Sequence, residues 1–525
     1  MTHQSQPRSR KTPWGRLAAL VVIAIATTAW AGAQSLSDTL VWAHSSPPRT
    51  LDPHITDTAS VIRPARAAYE GLLGYAPGST ELIPLLAESW EVLDGGAAYV
   101  FHLRQGVLFH DGTPFTAEAV KVSLERYDAI GTAVLIQPFE SAEVIDDYTV
   151  KVSLDKPNSA FLYMVPKLWI VSPAGVAEHA TSDDPWARQW FLDHADGTGP
   201  YQFSEWVIDQ SVSFERFPDY WGGFDERAPQ KVVHRIIREP ATQRLMLERG
   251  EIDIAMNLSI DDVPGLSRNP DIAVETHETP VGLYFRLALT KPPLNDIRVR
   301  QALQLAFDQQ SLMVLREGLS SPLTGPVPAS IPGSVAYDRP YDPERARQLL
   351  ADAGVLNSGL VLTYRYSSGF EEQRRAGELL QQTLAGFGIT LNLVEGTYGS
   401  MVESWGNEST TPELSGFFQY PSYPDVDSFL FSMYYSSVTP AAGNPGRYSN
   451  PEVDKLISLA QATTDPALRD AIYAQAQDEI VEDAVDVYVS NPGYLIAMRK
   501  WVEGYTYDPA FHDTINFRQI RLNKP

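Results

Sequence analysis

The 525-residue chain carries 41 Lys and Arg against 65 Asp and Glu, for a net charge of −24 that falls to −28 once four basic leader residues are set aside. That balance disfavours nucleic acid or an anionic membrane as partner. With no cysteine there is no disulfide, thiolate metal site, cysteine nucleophile or lipid-modified cysteine, and the length predicts about two or three domains.

The leader is basic at Arg8, Arg10, Lys11 and Arg16, apolar over 17–30, and closes on Ala31-Gly32-Ala33, the pattern of a cleaved signal peptide over 1–33. Its apolar run is short for a membrane span of ~30 Å, so the mature protein is expected to start near Gln34 and diffuse freely in a periplasm. A first strand follows over 39–42, then a loop at Ser45-Ser46-Pro47-Pro48. Helical periodicity over 59–73 stops at Gly74, as at a C′ glycine. Alternating segments at 99–103 and 148–154 flank a helix that begins after Thr116. Three later helices announce themselves by cap and proline: Asp342-Pro343, with Gly354 beyond the end, Asn450-Pro451 and Asp465-Pro466. Between them a helix over 370–387 runs through Gly388 into a strand over 389–394, which is α/β organisation.

Chemical motifs are scarce. The ten histidines show no H-E-x-x-H spacing, no G-x-S-x-G occurs, and no metal, cofactor or catalytic residue is expected. The run from Phe109 to Val120 places His110 beside Asp111, yet Asp111-Gly112 suits a turn and Thr116 a helix cap. Gly197 and Gly199 lack the Lys-Ser/Thr of a phosphate loop and are read as glycines that let the backbone turn beside a cleft.

Several segments in order resemble family 5 of the bacterial extracellular solute-binding proteins, which serve ABC importers of oligopeptides, dipeptides and nickel. They are Leu51-Asp52-Pro53-His54, Tyr69-Glu70-Gly71-Leu72-Leu73, Leu86-Ala87-Glu88-Ser89-Trp90, the Phe109 to Val120 run, Gly197-Thr198-Gly199-Pro200-Tyr201, Pro218-Asp219-Tyr220-Trp221, Gly250-Glu251-Ile252-Asp253 and the run from Pro292 to Ala302. The resemblance implies an α/β, two-lobed periplasmic binding protein with an extra inserted subdomain and two crossing strands between the lobes. The crossings are expected near 280–284 and 491–493, giving lobe one as 34–280 plus 493–525, its insertion as 79–196, and lobe two as 281–492. It further implies a monomeric, non-enzymatic protein that closes by hinge bending on a peptide or other small polar ligand and passes it to ABC transporter permease subunits. Importer-independent sensing, chaperone-like binding and a secreted oligosaccharide hydrolase are the alternatives.

Ligand-facing candidates follow from the resemblance. In Gly416 to Leu430, which holds Gln419, Tyr420, Ser422, Tyr423 and Asp425, peptide binders of the family place an Asp just before Tyr-x-(Asp/Glu)-Pro to hold the peptide ammonium; here that position is Ser422. Weak recognition of free peptide N-termini is therefore expected, or an ammonium partner drawn from elsewhere. Asp425 and Asp427 also suit capping of the next helix. Tyr284 and Arg286 share a strand face near the hinge, and a buried Arg286 needs either an internal carboxylate or the ligand. Tyr398 and Trp405 could line the cleft or fill the core. The backbone of His44 to Ser46, with Ser45 and Ser46, could pair with an extended ligand by strand addition.

Overall fold

The computed structural model describes Met1 and residues 38–56, 58–130 and 139–525. The expected signal peptide lies outside the described residues apart from Met1. Strand Thr39–His44 pairs in parallel with Lys231–Ile236 and Ile254–Ala255, so long stretches of chain must cross over between them. These belong to a seven-stranded sheet in the order Ile272–Glu278, Gly493–Arg499, Ile254–Ala255, Thr39–His44, Lys231–Ile236, Ser211–Arg216, Tyr201–Val207. Leu40, Trp42, Ile254 and Ile496 pack from this sheet onto Phe511 and Phe517 of the C-terminal segment, forming one core.

A second unit is built on four antiparallel strands, in the order Ala87–Leu93, Ala98–Leu103, Thr149–Leu154, Phe139–Asp146, with helix Ala117–Ile130 against them. It has its own core around Phe101, Phe109, Val120 and Phe161. Helix Ala117–Ile130 is tied to the first unit through Arg126, whose guanidinium donates to both oxygens of Asp52 at 2.8 and 2.7 Å with both side chains fully buried. Arg126 Nη1 also donates to His54 Nδ1 at 2.9 Å, and His54 Nε2–H donates to Trp169 O at 2.8 Å. Burial and the adjacent guanidinium push His54 down to about 3, so it is neutral. The Leu51-Asp52-Pro53-His54 motif is thus a joint.

His110 and Asp111 are likewise internal. His110 N–H donates to Gly197 O and its Nε2 to Gly199 O, both at 2.9 Å, while Asp111 accepts from Ser172 Oγ at 2.6 Å and from Thr113. Gly197 and Gly199 allow the backbones to touch: a Cβ at Gly197 would lie 2.2 Å from Ala68 O. That contact also corrects the helix expected over 59–73. It ends at Ala68, because Gly199 N–H takes Ala68 O at 2.9 Å and Glu70 is drawn inward by Tyr220, Trp221 and Thr198. Residues Leu73–Tyr75 then form a strand.

The third unit contains a five-stranded sheet, in the order Thr390–Gly396, Val361–Ser367, Leu414–Gln419, Gly282–Leu287, Asp486–Ser490. Helices Pro343–Asp352, Pro451–Gln461 and Pro466–Glu482 begin at Asp342, Asn450 and Asp465, each accepting a backbone N–H from the first helical turn. The chain passes from the seven-stranded sheet to this one between Glu278 and Gly282, and returns between Ser490 and Gly493. The crossings are laced together: Thr279 Oγ1 donates to Pro492 O at 2.5 Å and Asn491 Nδ2 to Val281 O at 3.1 Å. Two lobes joined by paired crossings, with an extra subdomain, is the architecture observed. Among the described residues no helix is long and apolar enough to cross a membrane.

Candidate functional site

The lobes face each other where strand Thr39–His44 ends and where strand Leu414–Gln419 ends. From the second lobe, Tyr420 follows Gln419 and is 47% exposed, and its ring stacks on His512 of the first lobe with centroids 5.2 Å apart and planes at 22°. Burial pushes His512 down to about 4, so a neutral imidazole meets the phenol. Tyr398, 54% exposed at the start of helix Tyr398–Trp405, sets its ring edge-on to Trp405 with centroids 6.4 Å apart.

Asp513 adjoins this stack and turns toward the first lobe at φ 61°, a region that Asp tolerates better than most residues. Its Oδ2 accepts from Arg63 Nη2 at 2.6 Å and lies 3.3 Å from His44 Nε2, while Arg63 Nε donates to its carbonyl at 3.2 Å. Burial opposes ionisation, but Arg63, with His44, holds the carboxyl well below the usual range. His44 is itself lowered, chiefly by burial against the pull of Asp513; its Nδ1 accepts from Ser46 N–H at 2.9 Å, so its proton sits on Nε2 toward Asp513. Behind it His234 stacks on Trp42 at 3.8 Å and 5°, with neither ring nitrogen partnered. The aromatic wall continues through Tyr494 and Tyr507, 5.6 Å apart, to His277, stacked on Tyr507 at 4.6 Å.

The candidates from sequence divide sharply. Tyr284 is fully buried, donates to Pro326 O at 2.9 Å and packs on Tyr488, so it is a core residue and not a cleft residue. Arg286 finds an internal carboxylate: Nη1 donates to Asp486 Oδ2 at 2.9 Å, Nη2 to Met433 O at 3.0 Å, and the group lies over Tyr434. Trp405 is also core, with Nε1 donating to Ser415 Oγ at 3.0 Å and the ring against Met401 and Phe417. Gln419 is buried and spends its amide on Ser432 Oγ and Tyr420 O.

Ser422 is half-buried, and its N–H donates to Ser428 Oγ at 2.9 Å. Tyr423 donates to Asp427 Oδ2 at 2.8 Å and its ring enters the inserted subdomain's core. Asp425 caps helix Val426–Tyr434 and is gripped by Arg469 at 2.6 and 2.9 Å, so it has no freedom to reach a ligand. Ser45 N–H is taken by Asn257 Oδ1 at 2.8 Å and Ser46 N–H by His44, so for backbone pairing with an extended ligand the carbonyls remain.

The structure therefore brings together Tyr420 with His44, Arg63, His512 and Asp513, and leaves Tyr398 exposed near Trp405. Arg63, His512 and Asp513 were not singled out from sequence, His44 was named only for its backbone, and no spacing or motif marks these side chains. A separate hollow of about 460 Å³, lined by Glu88, Arg104, Gln105, Gly106 and Trp221, shares no residue with this cleft. Among the described residues no group of three His, Asp or Glu is placed to hold a metal ion.

The family model "Bacterial extracellular solute-binding proteins, family 5 Middle" matches residues 81–440. The "Probable D,D-dipeptide-binding periplasmic protein DdpA" of Escherichia coli K12 is 30% identical over 492 residues, covering 92% of this chain and 94% of its own. The "Glutathione-binding protein GsiB" of Pectobacterium atrosepticum is 30% identical over 508 residues, covering 94% and 96%. Among solved structures, the periplasmic binding protein DppA of Helicobacter pylori in complex with the peptide STSA superposes with a TM-score of 0.79 at 26% identity, covering 93% of this chain and 98% of its own.

Proposed function

This chain belongs to family 5 of the bacterial extracellular solute-binding proteins, and from that premise we propose that it captures a short peptide or another small polar organic solute in the periplasm and delivers it to the permease of an ABC importer. The observation that carries this reading is the meeting of Tyr420 and His512 from opposite lobes, beside an ionised Asp513, in a cleft spanned by two laced crossings. A solute touching both walls binds the closed form better than the open one, which is the differential that hinge closure requires.

The relatives bind a D,D-dipeptide, glutathione and the peptide STSA by name, which favours peptide-like solutes for this chain. We read the protein as a non-enzymatic monomer made with a cleaved signal peptide over 1–33. Lobe one is taken as 34–280 plus 493–525, its insertion as 79–196 and lobe two as 281–492; the passages between sheets at 279–281 and 491–492 support that division. Tyr398, Tyr420, Ser422 and the carbonyls of Ser45 and Ser46 are the proposed ligand-facing groups retained from the sequence.

The test is mass spectrometry of small molecules released from freshly purified protein, followed by X-ray scattering with and without the solute found. A bound solute that compacts the protein is the expected result. A protein that carries none and keeps one radius with every peptide offered would overturn the reading.

A further inference from the structure

Three carboxylates of the second lobe, Asp425, Asp427 and Glu372, are already engaged within the protein. Asp425 is held by Arg469; Asp427 accepts from Tyr423 at 2.8 Å, Tyr473 at 2.6 Å and Gln461 at 3.0 Å; Glu372 takes Ser490 Oγ at 2.6 Å and Arg316 at 3.1 Å. Ser422 offers a neutral hydroxyl, and Arg286 is cancelled by Asp486 inside the core.

Across the cleft, Asp513 differs from all of these. Its side-chain bonds to Arg63 and His44 fall on Oδ2, no described residue donates to Oδ1, and 18% of the side chain is reached by solvent. It sits one residue from the His512 stack on Tyr420. Tyr494 and Tyr507, whose rings lie 5.6 Å apart, are near enough for the charge of Asp513 to help raise both phenols, and among the described residues the phenol oxygens of Tyr494, Tyr505 and Tyr507 are buried without partners. A carboxylate oxygen with vacant lone pairs, with aromatic side chains near it, suits a cationic nitrogen, which gains a charge-assisted hydrogen bond there. Of the neighbouring cations, Arg66 is paired with Asp508 at 3.0 Å, Arg63 neutralises Asp513 through Oδ2 alone, and Lys167 lies over the ring of Phe511 at 5.4 Å, while Glu275 and Glu278 add negative charge near Tyr505 and Tyr507.

We propose that Asp513 is the specificity-determining carboxylate of this cleft, receiving a protonated or quaternary nitrogen of the solute on Oδ1. The first lobe thereby replaces the anchor that Ser422 lacks. Substrates are small organic solutes bearing a cationic nitrogen, free-amino peptides among them. This rests on the solute-capture reading above.

Calorimetry on full-length protein stripped of ligand by unfolding and refolding tests it, with alanyl-alanine, N-acetyl-alanyl-alanine and glycine betaine as probes. The first two ask whether a peptide ammonium is read, and the third whether a quaternary nitrogen suffices. An amine-bearing probe should bind, and Asp513→Asn should weaken it about 10- to 100-fold, the loss expected for a charge-assisted contact. Adding Ser422→Asp to Asp513→Asn should restore part of the loss, which a merely structural role for Asp513 would not allow. The acetylation comparison needs no variant: equal binding of free and acetylated dipeptide would overturn the proposal, as would affinity unchanged in a folded Asp513→Asn protein. If no probe binds, the solute that co-purifies decides. One with a cationic nitrogen, lost from Asp513→Asn, supports the assignment; one without such a nitrogen, or held equally by both proteins, overturns it while leaving solute capture intact. Absence of any solute and of any probe binding would instead bring down solute capture itself, and this assignment with it.

Discussion

The ring of Tyr420 in the second lobe lies on the imidazole of His512 in the first, 5.2 Å apart and nearly parallel. The contact exists only when the lobes meet, so it contributes to closure and not to the folding of either lobe. An aromatic pair is worth roughly 0.5–1.5 kcal/mol beyond its burial, so Tyr420→Ala should weaken the bound solute by about 2- to 12-fold. The melting temperature of ligand-free protein should move little. Calorimetry beside a thermal melt separates the two, and equal affinity in the variant would show that the stack is incidental.

Arg469 forms a second bridge between units. Besides its two bonds to Asp425, Nε donates to Ser159 Oγ of the inserted subdomain at 2.9 Å, and Ser159 N–H donates to Gln461 O at 2.8 Å. Arg469→Ala leaves Asp425 buried without its cation, a loss of about 3–5 kcal/mol, whereas Ser159→Ala removes one acceptor of the guanidinium, worth roughly 1.5–3 kcal/mol. Urea unfolding should rank the two variants in that order. A small loss in Arg469→Ala would mean that water reaches Asp425.

The pair of Arg286 and Asp486 should behave as structure alone. Arg286→Met strands Asp486, whose pKa burial already raises against the pull of Arg286, and should cost about 3–5 kcal/mol; a double variant with Asp486→Leu should recover much of it. Solute affinity measured on the folded fraction should stay at the wild-type value. A specific loss of affinity would place Arg286 back in the cleft.

Asp196 gives the fold a pH dependence. Burial, and then the neighbouring Asp111, push its carboxyl from the ordinary 3.8 up to about 8. A carboxyl raised on folding stabilises the native state fully below its unfolded pKa, and that contribution is lost as pH climbs through the folded value. Melting temperature should therefore decline between about pH 4 and pH 8, and Asp196→Asn should flatten that decline. An identical profile in the variant would assign the dependence to other groups.

What is local, or carried by a motif, was legible in the residues alone. The caps at Asp342, Asn450 and Asp465 were legible because a cap is satisfied within a few residues of its own helix, and family membership was legible because its segments keep their order along the chain. The strand and helix periods around residues 98–154 were read from alternation alone. Tertiary structure decided the rest. The helix expected to reach residue 73 ends at Ala68 because two glycines about 130 positions later press on its last turn. Arg286 could equally have met a ligand until Asp486, 200 residues away, was brought beside it. Asp513 carried no signal at all, since its partner Arg63 lies 450 positions earlier and Tyr420 belongs to the other lobe. Charge pairing and stacking depend on distance in space, and only the packing of two lobes and a returning C-terminal segment sets that distance.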